Sequence, residues 1–198
     1  MKRISLSLAA LLAAAPALAA PVTYTIDPAH SQASFAVRHL VISTVRGEFS
    51  KTTGTAVIDD ADLSKSTVEA TIDVNSVNTR EPKRDGHLKS DAFFDAAKYP
   101  TITFKSTKVE PAGAGALKVT GNLTIRGVTK SVVLDVAGPT AEIKDPMGNQ
   151  RRGVAATTTI NRRDFGVSWG GVTDAGPVVG DEVKIQIDAE LLKGAPGK

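Results

Sequence analysis

Apolar and polar side chains alternate with a period of two along most of the chain after residue 20, and this alternation constrains the fold more than any other feature. In the last such segment, Val183 and Ile185 alternate with Lys184 and Gln186. Successive side chains of a β-strand point to opposite faces, so the pattern predicts strands with one apolar and one polar face. The same alternation recurs in segments 22–26, 34–39, 67–74, 101–105, 117–126, 132–136 and 154–160.

The links between these segments are short and rich in turn residues. Short links join antiparallel neighbours, because parallel strands need a crossover of roughly a dozen residues or more. The sequence therefore predicts an all-β fold of eight or nine antiparallel strands, as a closed barrel or as a two-sheet sandwich. Only six Phe, two Tyr and one Trp are available to fill an interior, which favours a single extended barrel with an open lumen. A sandwich with a solid core stays open as the alternative.

The first 19 residues have the composition of a cleavable signal peptide. Lys2 and Arg3 precede an apolar run, and small alanines follow it. The run is too short to span a membrane, which takes roughly 20 apolar residues. We therefore expect residues 1–19 to be removed and residues 20–198 to form one domain in the periplasm, with no stable membrane anchor.

Charge and cysteine content exclude several classes of function. Removing Lys2 and Arg3 lowers the formal net charge from +3 to +1, since 24 minus 2 basic residues then face 21 acidic ones. No basic field of the kind that binds nucleic acid remains. The chain has no cysteine, which excludes disulfides, thiol nucleophiles and c-type haem attachment. No motif indicates a cofactor.

The longest break between predicted strands lies near the middle of the chain and is rich in basic and aromatic residues. It contains Arg80, Arg84 and His87, followed by the aromatic pair Phe93 and Phe94. A β-scaffold places its mouth, its lid or its ligand contacts in such breaks. The basic side chains are suited to an anionic or polar head group, but composition alone favours the alternative of a solvated loop with local ion pairs.

This break also predicts a short helical insertion around residues 80–98. Pro82 is suited to open a turn that Gly86 ends. Ser90 is suited to cap a helix over residues 91–98, which stops before a proline.

The histidines leave an enzymatic alternative open. His30, His39 and His87 lie on separate segments and in none of the spacings of a known metal motif. If the fold brings them together, they form the centre of a small metal-dependent hydrolase with Asp85 or Asp164. Because no nucleophile elbow is present, the sequence favours a protein that is not an enzyme and has no bound metal. A stress-related interaction module without a ligand is a further alternative.

Four sequence blocks resemble the YceI-like family of exported lipid-binding proteins, and together they cover nearly the whole chain after residue 20. In chain order the blocks are DPAHSQASFAVRHL, TREPKRDGHLKSDAFFDAAKYPTITF, GNLTIRGVTKSV and INRRDFGV. The resemblance implies a lipocalin-like antiparallel barrel in the periplasm. Its lumen would hold an isoprenoid, an isoprenoid quinone or a fatty-acid-type lipid for transport. It transfers no catalytic residue.

Such a carrier would line its lumen with apolar residues of one strand face and bind the head group at the mouth. The predicted lumen residues are Phe35, Val37, Ile72, Ile102, Phe104, Leu123, Ile125 and Leu134. The predicted mouth residues are Arg80, Arg84, His87, Phe93, Phe94 and Trp169. The sequence also leaves room for a homodimer.

Overall fold

The computed structural model describes residues 20–194. The predicted signal peptide, residues 1–19, lies outside the described residues, as do residues 195–198.

The alternating segments form long strands, and short strands complete the sheet. In chain order the strands are β1 (Val22–Ile26), β2 (Gln32–His39), β3 (Ser43–Phe49), β4 (Thr52–Ile58), β5 (Thr67–Asp73), β6 (Val77–Asn78), β7 (Thr101–Pro111), β8 (Ala116–Ile125), β9 (Val128–Ala137), β10 (Ile143–Lys144), β11 (Gln150–Asn161), β12 (Val172–Thr173), β13 (Gly176–Pro177) and β14 (Val179–Lys193).

Eight of these strands close into an antiparallel barrel. Their order round the barrel is β1, β4, β5, β7, β8, β9, β11 and β14, and β14 pairs with β1 to complete the ring. With 15 residues, β14 is long enough to pair with β11 along one edge and with both β1 and β2 along the other. β3 pairs with β2, and β6 with β3, so these strands prolong the wall at one end. The predicted all-β barrel is confirmed, and the sandwich is not formed.

The helical insertion is present, but its helix lies earlier than the sequence predicts. The helix α1 spans Pro82–Lys89 and is capped by the Glu81 carboxylate, which accepts a hydrogen bond from the Lys83 amide. The predicted helix at 91–98 is wrong. That segment forms turns, because the Ser90 carbonyl accepts local turn hydrogen bonds and Asp95 has a φ of +51°. Among residues 20–194, no helix has the length and apolar character needed to cross a bilayer.

Two glycines make room for aromatic rings along the inner wall. A Cβ atom on Gly121 would lie 2.3 Å from Cζ of Phe104, and one on Gly47 would lie 2.5 Å from Cζ of Phe35. Each ring therefore lies over a glycine, in space that any other residue's side chain would occupy.

Candidate functional site

The barrel interior contains an apolar cavity of about 290 Å³. Inward-facing side chains from all eight barrel strands line it, together with residues of β2, Leu88 of α1 and Phe93. Arg162 is the only charged residue among the described residues that line this cavity. The volume lies near the lower end of the range for small-molecule pockets, roughly 300–1,000 Å³. A wall of this chemistry accepts hydrocarbon and offers almost no partner to a polar group.

The cavity follows the barrel axis over a considerable length. Leu117 and Ile125, at opposite ends of β8, both line it. Eight residues of strand span about 27 Å, and a strand tilt of roughly 40° reduces this to about 20 Å along the axis. A long, narrow, apolar space of this kind matches an extended chain better than a compact ring system.

All eight side chains that the sequence placed in the lumen line this cavity. They are Phe35, Val37, Ile72, Ile102, Phe104, Leu123, Ile125 and Leu134. Strand alternation identifies them because a closed barrel has one inner face. That they contact a ligand remains a prediction.

A second pocket, of about 570 Å³, lies at the α1 end of the barrel and is called the mouth pocket here. It shares five lining residues with the lumen, so the two spaces adjoin. The shared residues are Phe35, Val37, Leu88, Phe93 and Val179. The other lining residues are mainly polar, basic or aromatic: Arg38, His39, Val45, Glu81, Lys83, Arg84, His87 and Trp169. The apolar lumen therefore adjoins a pocket with several hydrogen-bond donors.

Aromatic packing builds one wall of the mouth pocket. The rings of His87, Phe93 and Trp169 form a triangle with centroid distances of 4.9, 5.0 and 5.1 Å. Phe93 is buried, while Trp169 keeps 39% of its surface exposed. The predicted residue Phe94 lines the lumen instead and packs edge-on against Phe49, with centroids 5.8 Å apart.

The two predicted arginines have different positions. Arg84 lines the mouth pocket, and its Nε and Nη2 donate to the hydroxyl and the carbonyl of Thr79, both at 2.8 Å. The Asp85 carboxylate accepts a hydrogen bond from the Thr79 amide at 2.8 Å, which fixes the same turn. Arg80, although it follows Thr79 directly, does not line the mouth pocket and instead lines a groove on the outer face of the barrel. A φ of +63° at Arg80 accompanies this change in chain direction.

Arg162 holds the loops at the mouth, and sequence reasoning missed it. Its Nη1 donates to the carbonyls of Val167 and Trp169, both at 2.7 Å. Its Nε and Nη2 donate to carbonyls at the start of β14, at 2.9 and 3.1 Å, and Nη2 also reaches the Asp181 carboxylate at 3.0 Å. Burial lowers the pKa of the Arg162 guanidinium, and the charge of Asp181 opposes that change. The sequence gives no signal for this role, because the neighbouring Arg163 is of the same type and is exposed.

The three histidines do not meet at one site. His39 and His87 both line the mouth pocket. His30 instead precedes Gln32, the first residue of β2, whereas His39 is the last. Seven residues of strand separate those ends by about 23 Å. The hydrolase alternative therefore loses its three-histidine centre, and its candidate Asp164 is exposed.

His30 belongs to a separate polar cluster. Its Nδ1 lies 2.8 Å from the Asp27 carboxylate, and ligand atoms of Asp27, His30 and Glu190 lie within 4.8 Å of one another. Nη1 of Arg151 reaches Asp27 at 2.6 Å and Glu190 at 2.9 Å, so a guanidinium already supplies the positive charge of this cluster. Burial raises the pKa of Asp27, but hydrogen bonds from Arg151 and His30 outweigh it and lower the pKa to about 2.

Comparison with known proteins finds both sequences and solved structures that are similar to this barrel. The YceI-like domain model matches residues 24–191. A UPF0312 protein of Shewanella denitrificans is 38% identical over 191 residues, which cover 94% of this chain and 97% of that protein. The crystal structure of BcnA from Burkholderia cenocepacia is similar with a TM-score of 0.72 and 27% identity, covering 83% of this chain and 98% of that one.

A further solved structure has the same fold at lower sequence identity. It is a polyisoprenoid binding domain from Saccharophagus degradans that is implicated in plant cell wall breakdown. The TM-score is 0.63 at 19% identity, over 87% of this chain and 99% of that one. At this identity the likeness establishes the shared barrel fold.

Proposed function

Since the chain belongs to the YceI-like domain family, we propose that it is a periplasmic binding protein that carries one elongated lipid in its barrel lumen. The observation that carries the proposal is the apolar cavity of about 290 Å³ with a single charged lining residue among those described. The proposed ligand is an isoprenoid, an isoprenoid quinone or a fatty-acid-type lipid. The polyisoprenoid binding domain of the same fold supports the first of these.

Burial of the hydrocarbon tail supplies the affinity in this proposal. Each buried methylene contributes about 0.8 kcal/mol, so ten such groups contribute about 8 kcal/mol. Association costs roughly 4–15 kcal/mol in lost freedom, so a short tail binds weakly and a tail that fills the lumen binds usefully. Apolar contacts discriminate a single methylene by only about 1–3 kcal/mol. The lumen wall therefore selects ligands by the length and apolarity of their tails. Discrimination between chemically different lipids depends on contacts with the head group.

The mouth pocket supplies the head-group contacts. Arg38, Lys83 and Arg84 line it together with His39 and His87. Guanidinium, ammonium and imidazole groups donate hydrogen bonds to phosphate, carboxylate or quinone oxygens. Thr79 holds Arg84 through Nε and Nη2, so this guanidinium is pre-oriented towards the pocket.

The role is one of binding rather than catalysis. The Asp85 carboxylate accepts a hydrogen bond from the Thr79 amide. His30 lies near the opposite end of β2 from His39. The three histidines therefore do not form the metal centre that the hydrolase alternative requires. Export by the predicted signal peptide and assembly into a homodimer are further parts of the proposal. Cell fractionation and sedimentation of the purified chain test them.

A matched pair of substitutions tests ligand binding in the lumen. Ala156 lines the cavity and is 7% exposed, whereas the next residue back, Ala155, faces outwards because adjacent strand residues point to opposite faces. Ala156→Phe places a ring where the ligand tail would lie, and Ala155→Phe adds the same ring outside. If the ring displaces two to four methylene groups, affinity for geranylgeraniol falls by roughly 10–200-fold.

Binding is measured by native mass spectrometry and by titration of Trp169 fluorescence. Circular dichroism and thermal melting confirm that both variants keep the wild-type fold. The proposal requires loss of binding in Ala156→Phe and wild-type binding in Ala155→Phe. Equal binding by all three proteins, or no binding by the wild type, would refute it.

A further inference from the structure

Four exposed apolar side chains cluster on two loops beside the mouth pocket. They lie on the β2–β3 turn and on the segment that carries the β12–β13 hairpin. Their exposed fractions are 79% for Ile42, 83% for Val172, 46% for Val41 and 39% for Trp169. This group is called the rim patch here. Single exposed apolar residues are common on protein surfaces, but a group at the entrance of an apolar lumen indicates a binding surface.

The two loops form one surface because they contact each other. The Leu40 amide donates to the Val178 carbonyl at 2.9 Å. A Cβ atom on Gly176 would lie 3.0 Å from Cγ2 of Val41, so the β2–β3 turn packs against the hairpin. Trp169 joins the patch to the mouth pocket, since its ring packs against His87 with centroids 4.9 Å apart.

The β2–β3 turn has a costly backbone conformation. Leu40 and Val41 have φ values of 50° and 62°. This left-handed region favours glycine or asparagine and is unusual for a β-branched residue. The next residue, Ile42, gains little from packing at 79% exposure. Strained residues concentrate at functional sites, and here the strain presents apolar side chains to the surroundings.

The charges around the rim patch have a small positive balance. Arg38, Lys83 and Arg84 line the adjoining mouth pocket, against Glu81. An exposed aspartate, Asp174, lies at the tip of the β12–β13 hairpin, so the local balance of these five groups is +1. Apolar side chains flanked by cations suit an anionic lipid surface, where apolar residues enter the interface and cations contact head groups.

We propose that the rim patch docks the mouth of the barrel on the surface of an anionic lipid bilayer, so that a lipid tail passes between bilayer and lumen with little exposure to water. This inference rests on the proposed function. A bilayer fits better than a second copy of the chain, because the patch borders the mouth pocket and its most exposed side chains, Ile42 and Val172, lie on the two loops beside it. Exposing a tail to water costs free energy in proportion to its apolar area, and a docked mouth avoids most of that exposure.

Vesicle binding by the chain that starts at Ala20 tests the inference, because the barrel strands all lie within residues 22–193 and the apolar N-terminal segment is then absent. The vesicles contain phosphatidylethanolamine and phosphatidylglycerol, with phosphatidylcholine vesicles for comparison. The readouts are co-sedimentation and emission of Trp169, the only tryptophan of the chain. We expect a blue shift and binding to the anionic vesicles that weakens as salt is added. The variant Ile42→Ser/Val172→Ser should bind at least about tenfold more weakly.

A control double variant carries the same type of change at the other end of the barrel. Ile143 and Met147 are 61% and 85% exposed, and Ile143 pairs with Arg151 near the start of β11, opposite the mouth. Ile143→Ser/Met147→Ser should bind vesicles as the wild type does. Equal loss in both variants, or wild-type binding by the rim variant, overturns the inference. The inference is also overturned if the rim patch forms a dimer and the protein does not bind vesicles.

Uptake of geranylgeraniol in buffer without vesicles separates this inference from the proposed function. A wild-type chain that takes up the prenyl alcohol but does not bind vesicles overturns bilayer docking alone. A chain that binds vesicles through the rim patch but takes up no prenyl alcohol refutes the carrier function and supports docking.

Discussion

Replacing Arg162 with methionine should destabilise the mouth of the barrel far more than an ordinary surface change. Arg162 is 5% exposed and donates to four backbone carbonyls besides the Asp181 carboxylate. Methionine has a similar apolar stem but no donor, so these carbonyls lose their partner. The side chain of Asp181 is 42% exposed and still pairs with Arg163 Nε at 2.6 Å, so the loss of its bond to Arg162 costs little. Breaking one side of a buried charged network costs about 3–5 kcal/mol, which is a large part of the roughly 5–15 kcal/mol that stabilises a domain.

Urea unfolding, followed by circular dichroism and by Trp169 fluorescence, measures this cost. Trp169 reports directly on the loop, since its carbonyl accepts a hydrogen bond from Arg162. The matched control is Arg163→Met, which removes an exposed partner of the same aspartate and should cost at most about 1 kcal/mol. The reasoning is refuted if Arg162→Met lowers the free energy of unfolding by less than about 1 kcal/mol, or if both variants lose the same amount.

Three further predictions concern the barrel. Burial raises the pKa of Asp27, but hydrogen bonds from Arg151 and its other neighbours lower it from 3.8 to about 2 in the folded protein. The ionised carboxylate therefore stabilises the fold fully above about pH 4, and this stabilisation is lost as the pH falls through about 2. The loss is about 2 kcal/mol, and Asp27→Asn should flatten the acid limb of the stability curve measured by urea unfolding. Gly121→Ala should lower the free energy of unfolding by about 1–3 kcal/mol, because its Cβ would meet the Phe104 ring. In a double-mutant cycle, Phe104→Leu should recover part of that loss. If the effects of the two substitutions are strictly additive, the contact is contradicted. Burial and a hydrogen bond to a glutamate raise the pKa of Tyr24 to about 12 from 10.0. The free energy of unfolding should therefore fall as the pH rises from about 10 through 12. An absorbance titration that shows Tyr24 ionising near pH 10 in the folded protein would contradict this.

The fold could be predicted from the sequence because one simple pattern determines it. A period of two, repeated with short links, leaves antiparallel strands as the solution, and small inner side chains such as Ala156 favour a closed barrel over a solid sandwich. The helix position could not be predicted. Ser90 is a good cap residue, yet it ends α1, and Phe93 faces inwards from a turn. Burial of that ring decides the local conformation, and burial depends on distant strands.

The candidate site was predictable in part for the same reason. Inner-face residues such as Leu123 follow from alternation, because a closed barrel gives every strand one inner face. Arg80 and Arg84 line different pockets, and a φ of +63° at Arg80 accompanies this separation without an obvious signal in the sequence. The role of Arg162 depends on carbonyls brought together by the tertiary fold, and no local pattern distinguishes it from Arg163.

Native mass spectrometry of the chain purified from its native source tests the central claim most directly. An apolar lumen that functions as a carrier predicts a bound species of one lipid mass per chain, which added geranylgeraniol displaces and which Ala156→Phe fails to retain. Repeated recovery of the chain at its bare mass, together with no uptake of added prenyl alcohol, would contradict the account.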